Sequence, residues 1–131
     1  MIVIADTSPI CYLLLIDEIE VLPKLYGKVL ITTIIQQELS HPNSPSLVQK
    51  WIDNPPKWLV VQQVNVPRDM NLDVLDKGEQ TAIILAEEME ADLLIIDDAL
   101  GRKIALYRGV KITGLLGVLN EAAKRNVIDL P

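Results

Sequence analysis

At 131 residues, half of them hydrophobic, the chain is the size of one ordinary domain and can bury a core without staples. Phe is absent and aromatics make up 4%, so that core is aliphatic, and the single cysteine, Cys11, excludes a disulfide framework within the chain and fits a reducing cytosol. A net charge of −6 argues against a protein whose main task is coating nucleic acid, and no apolar run reaches the ~18 residues of a membrane span.

The acidity does not exclude a nuclease. Carboxylates gathered to hold divalent cations make a domain more acidic, and a bound cation restores positive charge where it matters. The opening Met1-Ile2-Val3-Ile4-Ala5-Asp6 lacks a basic stretch, so it does not read as a signal peptide. Residues 1–131 read as a single domain with no repeat, low-complexity segment or long linker.

In chain order, Ile2 to Ala5 reads as a buried strand that stops at Asp6-Thr7-Ser8-Pro9. Ser8 followed by Pro9 predicts a helix start, with the helix running through Leu15. A short helix is expected from Glu18 to Tyr26, then a strand from Lys28 to Thr32. Thr33 with Gln36 resembles a capping box and opens a helix that carries Glu38. Ser44-Pro45 opens another, with Leu47, Val48, Trp51 and Ile52 on one face.

Trp58 to Val64 reads as a third strand or a strand-like connection, and residues 65–76 as a loop. The spacing of Ala82, Ile83, Leu85, Ala86 and Met89 predicts a helix from Glu79 to Glu90. Leu93 to Ile96 is the clearest buried strand, ending in Asp97-Asp98. A helix to Arg108 closed by Gly109, a short strand from Val110 to Thr113, and a helix from Leu115 to Arg125 closed by Asn126 complete the chain. About five strands alternating with helices predict an α/β fold, three-layer α/β/α around a mostly parallel sheet.

Ligands of such sheets bind at the carboxyl ends of the strands. Asp6 ends the first strand, and Asp97 and Asp98 end the fourth; Glu38 follows the second strand, and Glu79 opens a helix. Each has an ordinary explanation alone: helix capping for the aspartates, a solvated helix face for Glu38, the helix dipole for Glu79. Together they meet on one edge of a parallel sheet. Converging carboxylates repel, and burying them is unfavourable unless a cation pairs with them. Hard oxygen ligands suit Mg²⁺ or Mn²⁺, and one His with one Cys makes no zinc set.

These blocks resemble those of PIN domains. Asp6-Thr7-Ser8 after an apolar strand, Glu38 after the second, Leu75-Asp76-Lys77-Gly78-Glu79 before an Ala/Ile-rich helix, and Leu93 to Asp98 with Gly101-Arg102 follow in the family's order over nearly the whole chain. Gly114-Leu115-Leu116-Gly117-Val118-Leu119 with Ala123-Lys124 is similar to a branch of prokaryotic PIN proteins known as uncharacterised nucleic-acid-binding proteins. The resemblance implies a metal-dependent endoribonuclease with Asp6, Glu38, Glu79 and Asp97 as catalytic acids and metal ligands. Asp98 replaces or assists Asp97. The chain departs from the family at Glu79, where Asp is common, and at Ile95, where Thr is usual.

Mg²⁺ or Mn²⁺ would orient and activate a water for in-line hydrolysis of single-stranded RNA; no His or Lys stands at a motif position to serve as general base. Thr7, Ser8 and Arg102 are candidate substrate-binding residues, with Lys103 and Arg108 as further basic groups. The family's best-known members are toxins of the VapC type, which implies a small antitoxin protein as a partner. A homodimer through Tyr12 to Ile16 and Val21 to Leu25, and a cytoplasmic location, are expected. His41 reads as a loop residue and Cys11 as a small core residue. Trp51 and Trp58 read as packing residues, with stacking on bases as the alternative.

Two rivals remain. A receiver-type phosphoacceptor domain needs paired acids after its first strand and a Lys at a late strand end; here one Asp follows the first strand, and Lys111 lies inside the last. The other is a non-catalytic PIN-fold module that binds nucleic acid or protein.

Overall fold

Short aliphatic runs become parallel strands here because helices cover both of their faces, so the runs need no polar alternation. The computed structural model describes residues 1–65 and 72–128. In chain order the elements are β1 (Val3–Ala5), α1 (Thr7–Leu15), α2 (Val21–Tyr26), β2 (Val29–Thr32), α3 (Thr33–Leu39) and α4 (Ser46–Asp53). There follow β3 (Leu59–Gln62), α5 (Lys77–Glu88), β4 (Leu93–Ile95), α6 (Ala99–Tyr107), β5 (Ile112–Thr113) and α7 (Leu115–Lys124).

The sheet order is β3-β2-β1-β4-β5 with every pairing parallel, and the whole is a three-layer α/β/α fold as expected. Register is set by apolar pairs such as Ile4 with Leu30 and Leu94, and Leu94 with Ile112. The chain runs outward through β1, β2 and β3, then returns to place β4 on the other side of β1. The strand order therefore reverses between β1 and β4, which is where sheets of this kind open a crevice. The two strands are tied at that point by the Asp6 N–H, which donates to Ile95 O at 2.9 Å.

The core is aliphatic, with Ile4, Ile10, Leu13, Ile31, Ile83, Leu94 and Ile96 among its fully buried side chains. α5 packs against β1, β2 and β4, while α7 packs against α1, α2 and β5. No helix among the described residues is long and apolar enough to cross a membrane.

Several local expectations shift. The first helix is capped at Asp6, not Ser8, and Pro9 sits inside its first turn, where a missing N–H leaves no intrahelical bond unmade. The α3 cap is Thr32, one residue before Thr33: its Oγ1 accepts the Ile35 N–H at 3.2 Å and meets the buried Thr81 hydroxyl at 2.7 Å. On α4, Val48 and Ile52 are buried, but Leu47 is 53% exposed and does not share their face. Val21, Leu22 and Leu25 belong to the core, which leaves Tyr12, Leu15 and Ile16 as the exposed part of the expected dimer surface. Gly109 closes α6 with φ +80°, and Asn126 follows α7 in the left-handed region at φ +57°. Half of the expected loop at 65–76 lies outside the described residues; towards its end, Leu72 to Leu75 form a turn with both leucines buried.

Candidate active site

Asp6 occupies the N-cap position of α1, yet its side chain takes no capping hydrogen bond. Helix capping therefore does not account for it. The residue is 5% exposed. Burial pushes its carboxyl up to about 7, partly offset by the Thr7 N–H, and the charges adding most to the rise are Asp76, Glu38 and Asp98.

Glu38 reaches the same place from the last turn of α3. Its Oε1 accepts a short hydrogen bond from the Thr7 hydroxyl. The Glu38 carboxyl is raised by burial, held back by Thr7 and the Gly78 N–H, and raised further by Asp76. Glu79 enters from the first turn of α5. It is 8% exposed, and its Oε2 is buried without a hydrogen-bond partner. Burial, then the facing carboxyls of Asp76 and Asp98, lift its pKa to about 9.

Asp97 and Asp98 are adjacent in sequence and part in space. Asp98 caps α6, its Oδ2 accepting the Gly101 N–H at 2.8 Å, and contributes to the rise of both Asp6 and Glu79. The Asp97 Oδ1 accepts the Leu115 N–H at 2.8 Å, at the start of α7. The structure thus brings together Asp6, Glu38, Glu79 and Asp98, and directs Asp97 to a neighbouring helix end.

Asp76 is the acid that sequence reasoning missed. It caps α5, with Oδ1 accepting the Glu79 N–H at 2.8 Å, and it acts on Asp6, Glu38 and Glu79. The signal was present: an Asp three residues before a Glu at a helix start is a capping-box spacing.

The other expected residues have definite places. Thr7 binds Glu38, and Ser8 is exposed at the start of α1. Arg102 anchors Nη1 on Ile96 O at 2.8 Å. Lys103 is exposed, while Arg108 pairs with Glu87 of α5 at 2.7 Å. His41 is an exposed loop residue whose Nδ1 accepts the Asn43 N–H. Cys11 is half-buried beside the cluster, its thiol pushed up by burial, Glu38 and Asp6. Trp51 and Trp58 pack on each other, centroids 5.9 Å apart, and lie against the core.

Among the described residues, no group of three or more His, Cys, Asp or Glu side chains stands assembled to hold a metal ion. The Asp76 and Asp98 oxygens are engaged by backbone N–H groups in their caps. The candidate donors nevertheless suit a hard divalent cation in kind: all are carboxylate oxygens, and Glu79 Oε2 is a buried acceptor without a hydrogen-bond partner.

The PIN domain family profile matches residues 2–130. Among solved structures, a PilT N-terminus domain protein from the hyperthermophilic archaeon Sulfolobus solfataricus P2 is similar in fold, with a TM-score of 0.68 and 20% identity over 93% of each chain. No curated protein matches the sequence. With the family profile spanning nearly the full length and a parallel five-stranded sheet carrying acids at its switch point, the chain belongs to the PIN-domain family.

Proposed function

We propose that the chain is a Mg²⁺- or Mn²⁺-dependent endoribonuclease that hydrolyses single-stranded RNA at the β1/β4 crevice. PIN domains are associated with nucleic-acid metabolism. The observation that carries the reading is the convergence of Asp6, Glu38, Glu79 and Asp98, with Asp76 behind them, where burial raises the carboxyls of Asp6, Glu38 and Glu79. Burying like charges together is unfavourable for an isolated fold and is explained by a cationic ligand.

Asp6, Glu38, Glu79 and Asp98 would hold the cation. Such an ion supplies positive charge for a phosphate and a means of making water nucleophilic near neutral pH. The chain's own residues do the rest. The Thr7 hydroxyl orients Glu38; the Asp76 cap fixes the first turn of α5 and with it Glu79; the Asp98 cap does the same for α6. Asp97 holds the start of α7 and serves the site from outside it. A toxin role, an antitoxin and a homodimer are carried by the family resemblance, with Leu15 and Ile16 of α1 as an exposed apolar surface for a partner.

One observation favours a second reading, a binding module without catalysis: the described acids do not form a ready metal cage. The deciding experiment is cleavage of a mixed pool of labelled single-stranded RNAs by wild type and Asp6→Asn, in Mn²⁺ or in EDTA. Cleavage that requires both Mn²⁺ and Asp6 is expected. Equal inertness, or equal activity of the two proteins, sinks the catalytic reading and moves the binding module ahead.

A further inference from the structure

We propose that the cleft between α1 and the first turn of α7 seats one nucleotide of the RNA strand, with Tyr12 stacking on its base and Arg102 facing its phosphate; this rests on the nuclease reading above. The cleft is open to solvent, has a volume of about 430 Å³ and is lined by Tyr12, Asp97, Arg102, Thr113, Leu116 and the glycines of the α7 start. That volume falls in the usual range of small-ligand sites, ~300–1,000 Å³.

Two missing side chains shape the floor. A Cβ at Gly114 would lie 2.4 Å from Asp97 Oδ1 and 2.9 Å from Arg102 Nη1. One at Gly117 would lie 2.1 Å from Thr113 Oγ1. Glycine at both positions lets three polar side chains close on the turn. The walls differ in character. Tyr12 is 56% exposed and Leu116 76% exposed, so an aromatic ring and an aliphatic chain border a floor that carries the Asp97, Arg102 and Thr113 side chains. A base offers a π face to the ring, and its phosphate needs a cation on the floor. Arg102 is that cation, held in place by its bond to Ile96 O, which takes one of the five donors a guanidinium carries.

Position makes the cleft relevant to the acids. Asp97 lines it, and Asp98, the next residue, faces Glu79. The cleft and the carboxylate cluster are thus joined through consecutive residues, whose Cα atoms stand about 3.8 Å apart. A strand with one nucleotide in the cleft carries a neighbouring phosphodiester to the acids.

The test is fluorescence anisotropy of a short labelled single-stranded RNA with the full chain in EDTA, where cleavage cannot interfere. Tyr12→Ala is expected to weaken binding roughly tenfold and Tyr12→Phe to restore it. Arg102→Gln is expected to lower affinity and reduce the salt slope by about one. Leu116→Glu, at an exposed position that leaves the fold intact, is expected to weaken binding by charge repulsion.

Wild-type affinity in Tyr12→Ala, or no RNA binding by the wild type, overturns the proposal. So does a Tyr12→Ala protein with unchanged RNA affinity and an altered sedimentation coefficient, which would make this face a contact between copies. Tyr12-dependent binding without metal-dependent cleavage keeps the cleft and removes the nuclease. Asp6-dependent cleavage with Tyr12-independent binding does the reverse.

Discussion

The Glu38 carboxylate lies against the backbone of Gly78: a Cβ built on that glycine would fall 2.3 Å from Oε1 and 2.7 Å from Oε2. One acid of the candidate site, on α3, is thus seated on the first turn of the helix that supplies another, Glu79. The contact needs the absence of a side chain, not an unusual backbone angle, since Gly78 is an ordinary helical residue.

Gly78→Ala is expected to push Glu38 off its hydrogen bond with Thr7 while keeping the fold. A displacement near 1 Å at a reacting centre can lower rate by about a hundredfold. Ala at this helical position offsets part of the clash by ~0.5–1 kcal/mol of helix preference. RNA cleavage rate and melting temperature, measured together, check this; unchanged cleavage would show that Glu38 need not stand where it does.

Asp98→Asn and Asp97→Asn are expected to separate. Asparagine keeps an acceptor for the Gly101 N–H in the first and for the Leu115 N–H in the second, so both proteins should fold. Cleavage should fall at least roughly tenfold further in Asp98→Asn, because only that carboxylate faces Glu79. Steady-state cleavage of one RNA by the two variants decides it, and an equal loss would return Asp97 to the site.

Metal should stabilise the fold by mass action. At about a hundredfold excess over Kd, Mn²⁺ is expected to add ~2.7 kcal/mol to the unfolding free energy. Glu79→Gln should remove that response. The same variant should be no less stable than wild type in EDTA, because it removes a buried carboxyl whose Oε2 has no hydrogen-bond partner. Thermal melts with Mn²⁺ and with EDTA provide the measurement.

Without metal, stability should fall as pH rises. The folded-state carboxyl of Asp6 is raised from 3.8 to about 7, and that of Glu79 from 4.5 to about 9. Between those limits the folded protein binds more protons than the unfolded chain, so the unfolding free energy decreases with pH. The contribution is complete below the unfolded values and is lost as pH climbs through the folded ones. Melting temperature in EDTA should decline from mildly acidic to alkaline pH, and Glu79→Gln should flatten the alkaline part. A melting temperature that rises over this range would contradict the burial of these acids.

The order and type of the elements were legible in the sequence because local chemistry sets them. Val3 to Ala5 and Leu93 to Ile95 are aliphatic runs too short for helices, and Ala82, Ile83 and Ala86 repeat at helical spacing. Asp6, Glu38 and Glu79 stood out as candidates because parallel strands must end on one edge. Helix starts moved by a residue or two, as at Asp6 for Ser8 and Thr32 for Thr33, since several adjacent side chains could serve as caps.

By itself, then, the sequence determined an aliphatic α/β domain with acids at its strand ends, through periodicity, composition and the alternation of strand and helix. Only the tertiary structure shows where each candidate acid points. Asp97 and Asp98 are chemically identical neighbours, and only the packing of α7 against β5 gives Asp97 the Leu115 N–H, while its cap of α6 holds Asp98 where it acts on Glu79. Asp76 drew no separate notice in the sequence; the fold makes it the α5 cap and sets it within the electrostatic reach of three other acids. Side-chain direction depends on contacts between residues far apart in the chain, and local spacing does not encode those contacts.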